Sequence, residues 1–284
     1  MRPRRRPKKR FIKRFTGGLI RLFLLILIGV FLLGKVKDLS TSLLTKGDWT
    51  PKNLVEGDTK DQLKAMTRQD RRIKTILNNY EDYPEKLLEM LVRNIDMLDF
   101  VLDYPSEKGV VHADRIGDLA RGEMPLLLQY DQRWGYGNYG DDILAITGCG
   151  PTSLAMVIGQ LKGDNELTPY KLAQYAEENG YYAEGTGTSW AFFTEGSQDF
   201  GVSGKELPLS KGAIYQALES GSPIISSMRP GDFTTTGHMI VLGGIKDGKI
   251  LVYDPNSRER SSKLWDYERL EGQIRNLWAF DIIK

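Results

Sequence analysis

The chain passes through several regimes of apolar and polar patterning. Residues 17–34 read GGLIRLFLLILIGVFLLG, with Arg21 as the only charge. Eighteen helical residues span about 27 Å, close to the ~30 Å hydrocarbon core of a bilayer. The run predicts a transmembrane helix, with Arg21 near its basic end and able to snorkel to the interface. Residues 35–58 are polar, with scattered Gly, Pro, Asp and Asn, and predict a linker. From Thr59 to about Asn79, Leu63, Met66, Ile73, Ile76 and Leu77 recur at helical spacing and predict one amphipathic helix. Pro84 opens a second, with Leu87, Leu88, Leu91, Ile95, Leu98 and Val101 on one face and Pro105 and Gly109 to end it. These helices predict a prop packed on the rest of the chain; an inhibitory or substrate-clamping role is the alternative.

A new region begins near Met124. Residues 125–130 form a short strand-like run, and 131–137 a loop rich in aromatics and glycine. A helical pattern then follows Cys149, through Leu154, Val157, Ile158 and Leu161. Thr168-Pro169 carries the N-cap and first-residue signals of another helix, ending at Asn179-Gly180. Trp190, Phe192 and Phe193 predict core packing, or in part the wall of a cleft. Residues 210–219 predict a short helix. The period then changes to that of strands at 223–228, 238–245, 249–254 and 278–283, with the hairpin turn Lys246-Asp247-Gly248 between two of them. Helices first and strands after make an α+β pattern. The expected organisation is a basic arm (1–16), a transmembrane signal anchor (17–34), a linker (35–58), a helical segment with its connector (59–123) and a main domain (124–284).

Charge sharpens the topology. The net charge is +2, yet residues 1–16 hold nine Lys or Arg and no acid; removing those nine from 39 leaves 30 bases against 37 acids. That balance argues against nucleic-acid binding by the main body. Nine positive charges ahead of the apolar run place the N-terminus in the cytoplasm and the bulk of the chain outside, at the cell membrane. A cleaved signal peptide is the rival reading, but GKVKDLSTSLL after the run offers no small-x-small cleavage site. One cysteine and two histidines leave no metal-binding cluster, so neither cofactor nor metal is expected.

The single cysteine lies in Gly148-Cys149-Gly150-Pro151-Thr152-Ser153, at the expected start of a helix, where the dipole and free N–H groups favour a thiolate. The flanking glycines are expected to admit a substrate backbone. His238 opens one strand of the hairpin and Asp254 closes the other, so both emerge at one edge. Cysteine, a base and an orienting acid make the constellation of thiol nucleophilic catalysis. His112, in the connector, reads as an ordinary surface histidine.

From about Met124 onward the chain resembles the papain-like cysteine peptidases of the bacteriocin-processing type, and more closely the bacterial peptidase C39-like domains. The resemblance rests on Leu128-Gln129-Tyr130-Asp131-Gln132-Arg133-Trp134, Gly148-Cys149-Gly150-Pro151-Thr152-Ser153, Gly237-His238-Met239-Ile240-Val241 and Val252-Tyr253-Asp254-Pro255. It implies a papain-like fold in which the helix carrying Cys149 packs on an antiparallel sheet carrying His238 and Asp254. It also implies a glutamine as oxyanion donor: Gln129 matches best, with Gln132 as rival. Asn256 is a secondary candidate for the orienting role. The resulting expectation is a membrane-anchored, extracytoplasmic bacterial peptidase that cuts peptide or protein substrates. A silent peptide-binding module and a cysteine transpeptidase or acyltransferase acting on cell-wall peptides are the alternatives. The bacteriocin-processing members are cytoplasmic, fused to a transporter, and cut double-glycine leaders; that substrate is not carried over to a domain placed outside.

Overall fold

The computed structural model describes residues 57–185 and 187–283. The basic arm, the apolar segment 17–34 and all but the last two residues of the linker lie outside them. Among the described residues no helix is long and apolar enough to cross a membrane.

Four short helices come first: α1 (Thr59–Met66), α2 (Ile73–Asn78), α3 (Glu85–Arg93) and α4 (Leu98–Glu107). The two longer helices expected from spacing are each broken once, by a side chain that competes for backbone groups. Asp70 accepts from the Arg72 N–H at 2.8 Å between α1 and α2. Asn94, in extended conformation, accepts from the Asp96 N–H at 3.2 Å between α3 and α4. Pro105 does not end α4, which runs two residues past it. The buried faces of these helices, including Leu63, Ile73, Leu87 and Phe100, share one core with Leu128, Tyr130, Tyr136 and Ile143. Phe100 stacks on Tyr136 with centroids 4.1 Å apart. The segment is therefore packed on the rest of the chain, as its amphipathic pattern predicts.

Residues 125–130 are not a strand. The Gln129 N–H donates to the Pro255 carbonyl at 2.8 Å, and Trp134 Nε1 donates to the Leu128 carbonyl at 2.9 Å. These isolated bonds serve the buried backbone in place of a ladder. There follow β1 (Asn138–Tyr139), β2 (Asp142–Ile143), α5 (Leu144–Thr147), α6 (Cys149–Lys162), α7 (Pro169–Glu178), β3 (Tyr182–Ala183), β4 (Gly187–Thr188) and α8 (Ala191–Thr194). The last part holds β5 (Val202–Glu206), α9 (Lys211–Glu219), β6 (Ile224–Met228), β7 (His238–Lys246), β8 (Lys249–Tyr253), α10 (Arg258–Ser261), β9 (Leu264–Trp265), α11 (Tyr267–Leu270) and β10 (Ile274–Ile282).

Six strands form one antiparallel sheet in the order β5-β10-β6-β7-β8-β9. The fold is α+β. One face packs Ile225, Val241 and Trp278 against Leu154, Val157 and Ile158 of α6. The other packs Ile224, Ile240, Leu242 and Val252 against Ile214 and Leu218 of α9. Cover on both faces explains why the central strands read as near-continuous apolar runs. The short β5 and β9 lack that signal, and the apolar pattern does not predict them.

One irregularity sets the site. The β7–β8 hairpin turns at Asp247 and Gly248, both at positive φ (53° and 74°). From the turn, Lys246 pairs with Lys249 and Gly244 with Leu251; the register then slips, so that Leu242 faces Val252 and Val241 faces Tyr253. An unbroken ladder would have set Asp254 opposite Val241, on the face away from His238. The one-residue bulge at Gly243 instead sets Tyr253 there, and Asp254 falls on the His238 face. A Cβ on Gly243 would lie 2.6 Å from the Tyr253 ring. Gly243→Ala is therefore expected to lower the unfolding free energy by about 1–3 kcal/mol in urea titrations. Gly212→Ala, in open space within α9, is expected to be neutral or stabilising.

Candidate active site

Cys149 is the first residue of α6. Gly148 offers no side-chain cap, so the N–H groups of the first turn keep their capacity to bind an anion. Both flanking glycines are closely packed. A Cβ on Gly148 would meet Leu144 at 2.4 Å, and one on Gly150 would meet Thr188 of β4 at 2.6 Å. Cys149 is half-buried and lines an open cleft of about 550 Å³ together with Thr188, Trp190, Ser227, His238 and Arg275.

His238 starts β7, opposite Met228 of β6. The loop before it is pinned by Asp232, whose buried carboxylate accepts from Arg269 and from Gln273 Nε2 at 2.8 Å. The His238 Nε2 lies 2.8 Å from Asp254 Oδ1. An ionised carboxylate only accepts, so Nε2 carries the proton, and the other ring nitrogen, Nδ1, is the one left for the thiol. The Cys149 thiol lines the same cleft as the ring and adds to the upward shift of its pKa.

Asp254 is fully buried, and its lone pairs are well served. Besides His238, Oδ1 accepts from the Asn256 N–H at 2.7 Å, and Oδ2 accepts from Arg260 Nε at 2.5 Å. The Asp254 N–H donates to Ser261 Oγ at 2.8 Å. Burial alone would push the imidazole toward neutrality, but the Asp254 charge and its hydrogen bond outweigh it, with help from Cys149, and His238 is raised from 6.5 to about 9. Burial would likewise push the Asp254 carboxyl up, but Arg260 first and His238 next hold it well below its ordinary range, at about 2.

Sequence reasoning brings Cys149, His238 and Asp254 to one place, and the structure does the same. Arg260 escapes the sequence reading. Its guanidinium is buried under Phe233, and its carbonyl accepts from Trp265 Nε1 at 3.0 Å. The only local signal is Ser257, whose side chain caps α10 by accepting from the Arg260 N–H at 3.1 Å. Gln129 is buried; its Nε2 donates to the Ala145 carbonyl at 2.6 Å, which leaves one amide hydrogen for another acceptor. Gln132 is exposed and donates to Asp103 at 2.7 Å, so it falls out of contention. Asn256 bonds to Asp254 and not to His238, and its carbonyl accepts from Asn94 Nδ2 at 2.8 Å, tying the helical segment to the Asp254 loop. His112 is exposed beside Glu107, as expected. Among the described residues no cluster of ligands is suited to a metal.

Two expectations follow. Arg260→Met removes one cation from a buried carboxylate and should cost about 3 kcal/mol of unfolding free energy, with Arg260→Lys in between. The second concerns pH. A raised histidine stabilises the fold fully below its unfolded value of 6.5 and loses that contribution as pH climbs through about 9; a depressed Asp254 contributes above 3.8 and fades as pH falls toward about 2. The stability gap between wild type and His238→Ala should thus be wider near about pH 6 than near about pH 10 in parallel denaturant titrations; a gap that stays constant would contradict the pairing.

The model of the Peptidase_C39 like family matches residues 122–280, more than half of the chain. No curated protein matches the chain. Among solved structures, the crystal structure of the peptidase domain of Streptococcus ComA, a bi-functional ABC transporter involved in a quorum sensing pathway, is similar at 19% identity with a TM-score of 0.39, covering 57% of this chain and 100% of that one. On the strength of the family match, the chain belongs to the Peptidase_C39-like family.

Proposed function

We propose that the protein is a cysteine peptidase anchored in the cell membrane by residues 17–34, with residues 35 onward outside the cytoplasm. The observation that carries the enzymatic part is the buried His238–Asp254 pair beside a half-buried thiol in an open cleft. The anchoring part rests on the apolar run and the nine bases ahead of it.

In this reading His238 takes the proton from Cys149, and the sulfur attacks the substrate carbonyl carbon. The C–S bond forms as the carbonyl π pair moves onto oxygen. The oxyanion is met by the first-turn N–H groups of α6 and by the remaining amide hydrogen of Gln129. Collapse expels the amine, which leaves with the proton from His238, and a thioester remains. Water attacks it, giving its proton to His238, and the acid product departs as the thiol is restored. Asp254 fixes the ring tautomer throughout, and Arg260 holds Asp254 in place.

Cys149→Ala in the full-length protein should lower peptide turnover by about 10⁴ or more while the circular dichroism spectrum is kept; persistent turnover would end the proposal. His238→Ala should slow alkylation of Cys149 by iodoacetamide. Because Cys149 is the only thiol, a membrane-impermeant maleimide applied to intact cells should label it. Labelling only after lysis would refute the outward placement and leave the chemistry standing. Adding an amine nucleophile to the assay separates hydrolysis from acyl transfer by the products formed.

A further inference from the structure

The cleft holds one feature that the chemistry above does not use. β10 pairs with β6 through Ile274↔Met228 and Asn276↔Ser227, so Arg275 is an extra residue in a bulge. Bulges beside active sites re-aim side chains, and Arg275 is exposed and lines the cleft with Cys149 and His238. Its guanidinium lies 5.2 Å from the centroid of the Trp190 ring. Trp190 is held in turn by an edge contact with buried Trp278 at 5.2 Å, yet stays 37% exposed. Among the described residues Arg275 makes no ion pair or side-chain hydrogen bond, and none of those lining the cleft is acidic. A guanidinium set over an aromatic ring, with its donors unengaged among the described residues and His238 the other basic residue lining the cleft, attracts anions and presents a fork suited to a carboxylate.

We propose that Arg275, stacked on Trp190, is a specificity determinant that receives a carboxylate of the substrate peptide. This rests on the peptidase reading for its substrate class and extends it to acidic peptides. The sheet supplies the spacing. His238, Met228 and Ile274 lie in register across three neighbouring strands. Two strand spacings separate His238 from the Arg275 position by about 10 Å, or about three residues of extended peptide. The carboxylate therefore sits two to three residues from the bond that is cut. It belongs either to an Asp or Glu side chain or to the terminus of the peptide; the chemistry is the same.

The test uses full-length protein in two forms. In the Cys149→Ala form, binding is measured for peptides that differ only by Glu against Gln at successive positions, each with a free or an amidated C-terminus. Glu should bind about tenfold more tightly than Gln at one position, the size expected of a charge-assisted pair. Adding Arg275→Glu should abolish or invert that ratio, and Arg275→Lys should keep part of it. A preference that tracks amidation identifies the terminal carboxylate; one that tracks Glu identifies the side chain. No carboxylate preference, or one that survives Arg275→Glu, overturns the proposal. In the Cys149 form, the ratio of kcat/KM for the Glu and Gln peptides should follow the binding ratio. Binding with the expected preference but no cleavage by that form would refute the peptidase reading and leave the role of Arg275 intact.

Discussion

A fully buried carboxylate between two cations is the constraint from which much of this structure follows. Asp254 has lost its water and must be compensated within the protein, because an uncompensated buried charge costs several kcal/mol. His238 meets one oxygen and Arg260 the other. Each partner is fixed by a support of its own. Helix α10 carries Arg260, the Asp232–Arg269 pair pins the loop before β7, and the Gly243 bulge turns Asp254 to the correct face. The imidazole that results is oriented by the carboxylate and lines the same cleft as the only thiol.

The parts of this arrangement written in local sequence are legible. Asp247-Gly248 announces the hairpin, Thr168-Pro169 the start of α7, and Gly148-Cys149-Gly150-Pro151 the start of α6. The edge shared by His238 and Asp254 follows from the hairpin alone. Their shared face does not, because it depends on a register slip at Gly243, where a side chain would meet the Tyr253 ring. Gly243-Gly244 inside an apolar run is the available hint of a bulge. Arg260 is hidden for a related reason: an arginine in a polar stretch reads as solvated until the carboxylate beneath it is seen.

The misread elements share a cause. Spacing alone joins α1 to α2 and α3 to α4, since apolar periodicity does not register an Asp70 or Asn94 side chain taking over a backbone N–H. Residues 125–130 carry the composition of a strand and the burial of one, but spend their backbone groups on Pro255 and Trp134. The glycines around Cys149 suggest substrate access, and the sequence does not show that Leu144 and Thr188 also lie where a side chain would fall. In each case residue type is a sound guide, and the neighbour that makes it necessary comes from tertiary structure.

The shared core of the helical segment bears on what the family signature marks. The recognisable sequence starts at residue 122, yet the apolar undersides of Leu128, Tyr130 and Tyr136 are covered by side chains drawn from residues 63–104. Asn94 even reaches the loop that holds Asp254. In this chain the signature covers the working face, and its backing comes from residues ahead of it. A relative with the same motifs and a different preceding segment has to close the rear of the Asp254 loop by other means, and its substrate range and its tolerance to truncation are free to diverge accordingly.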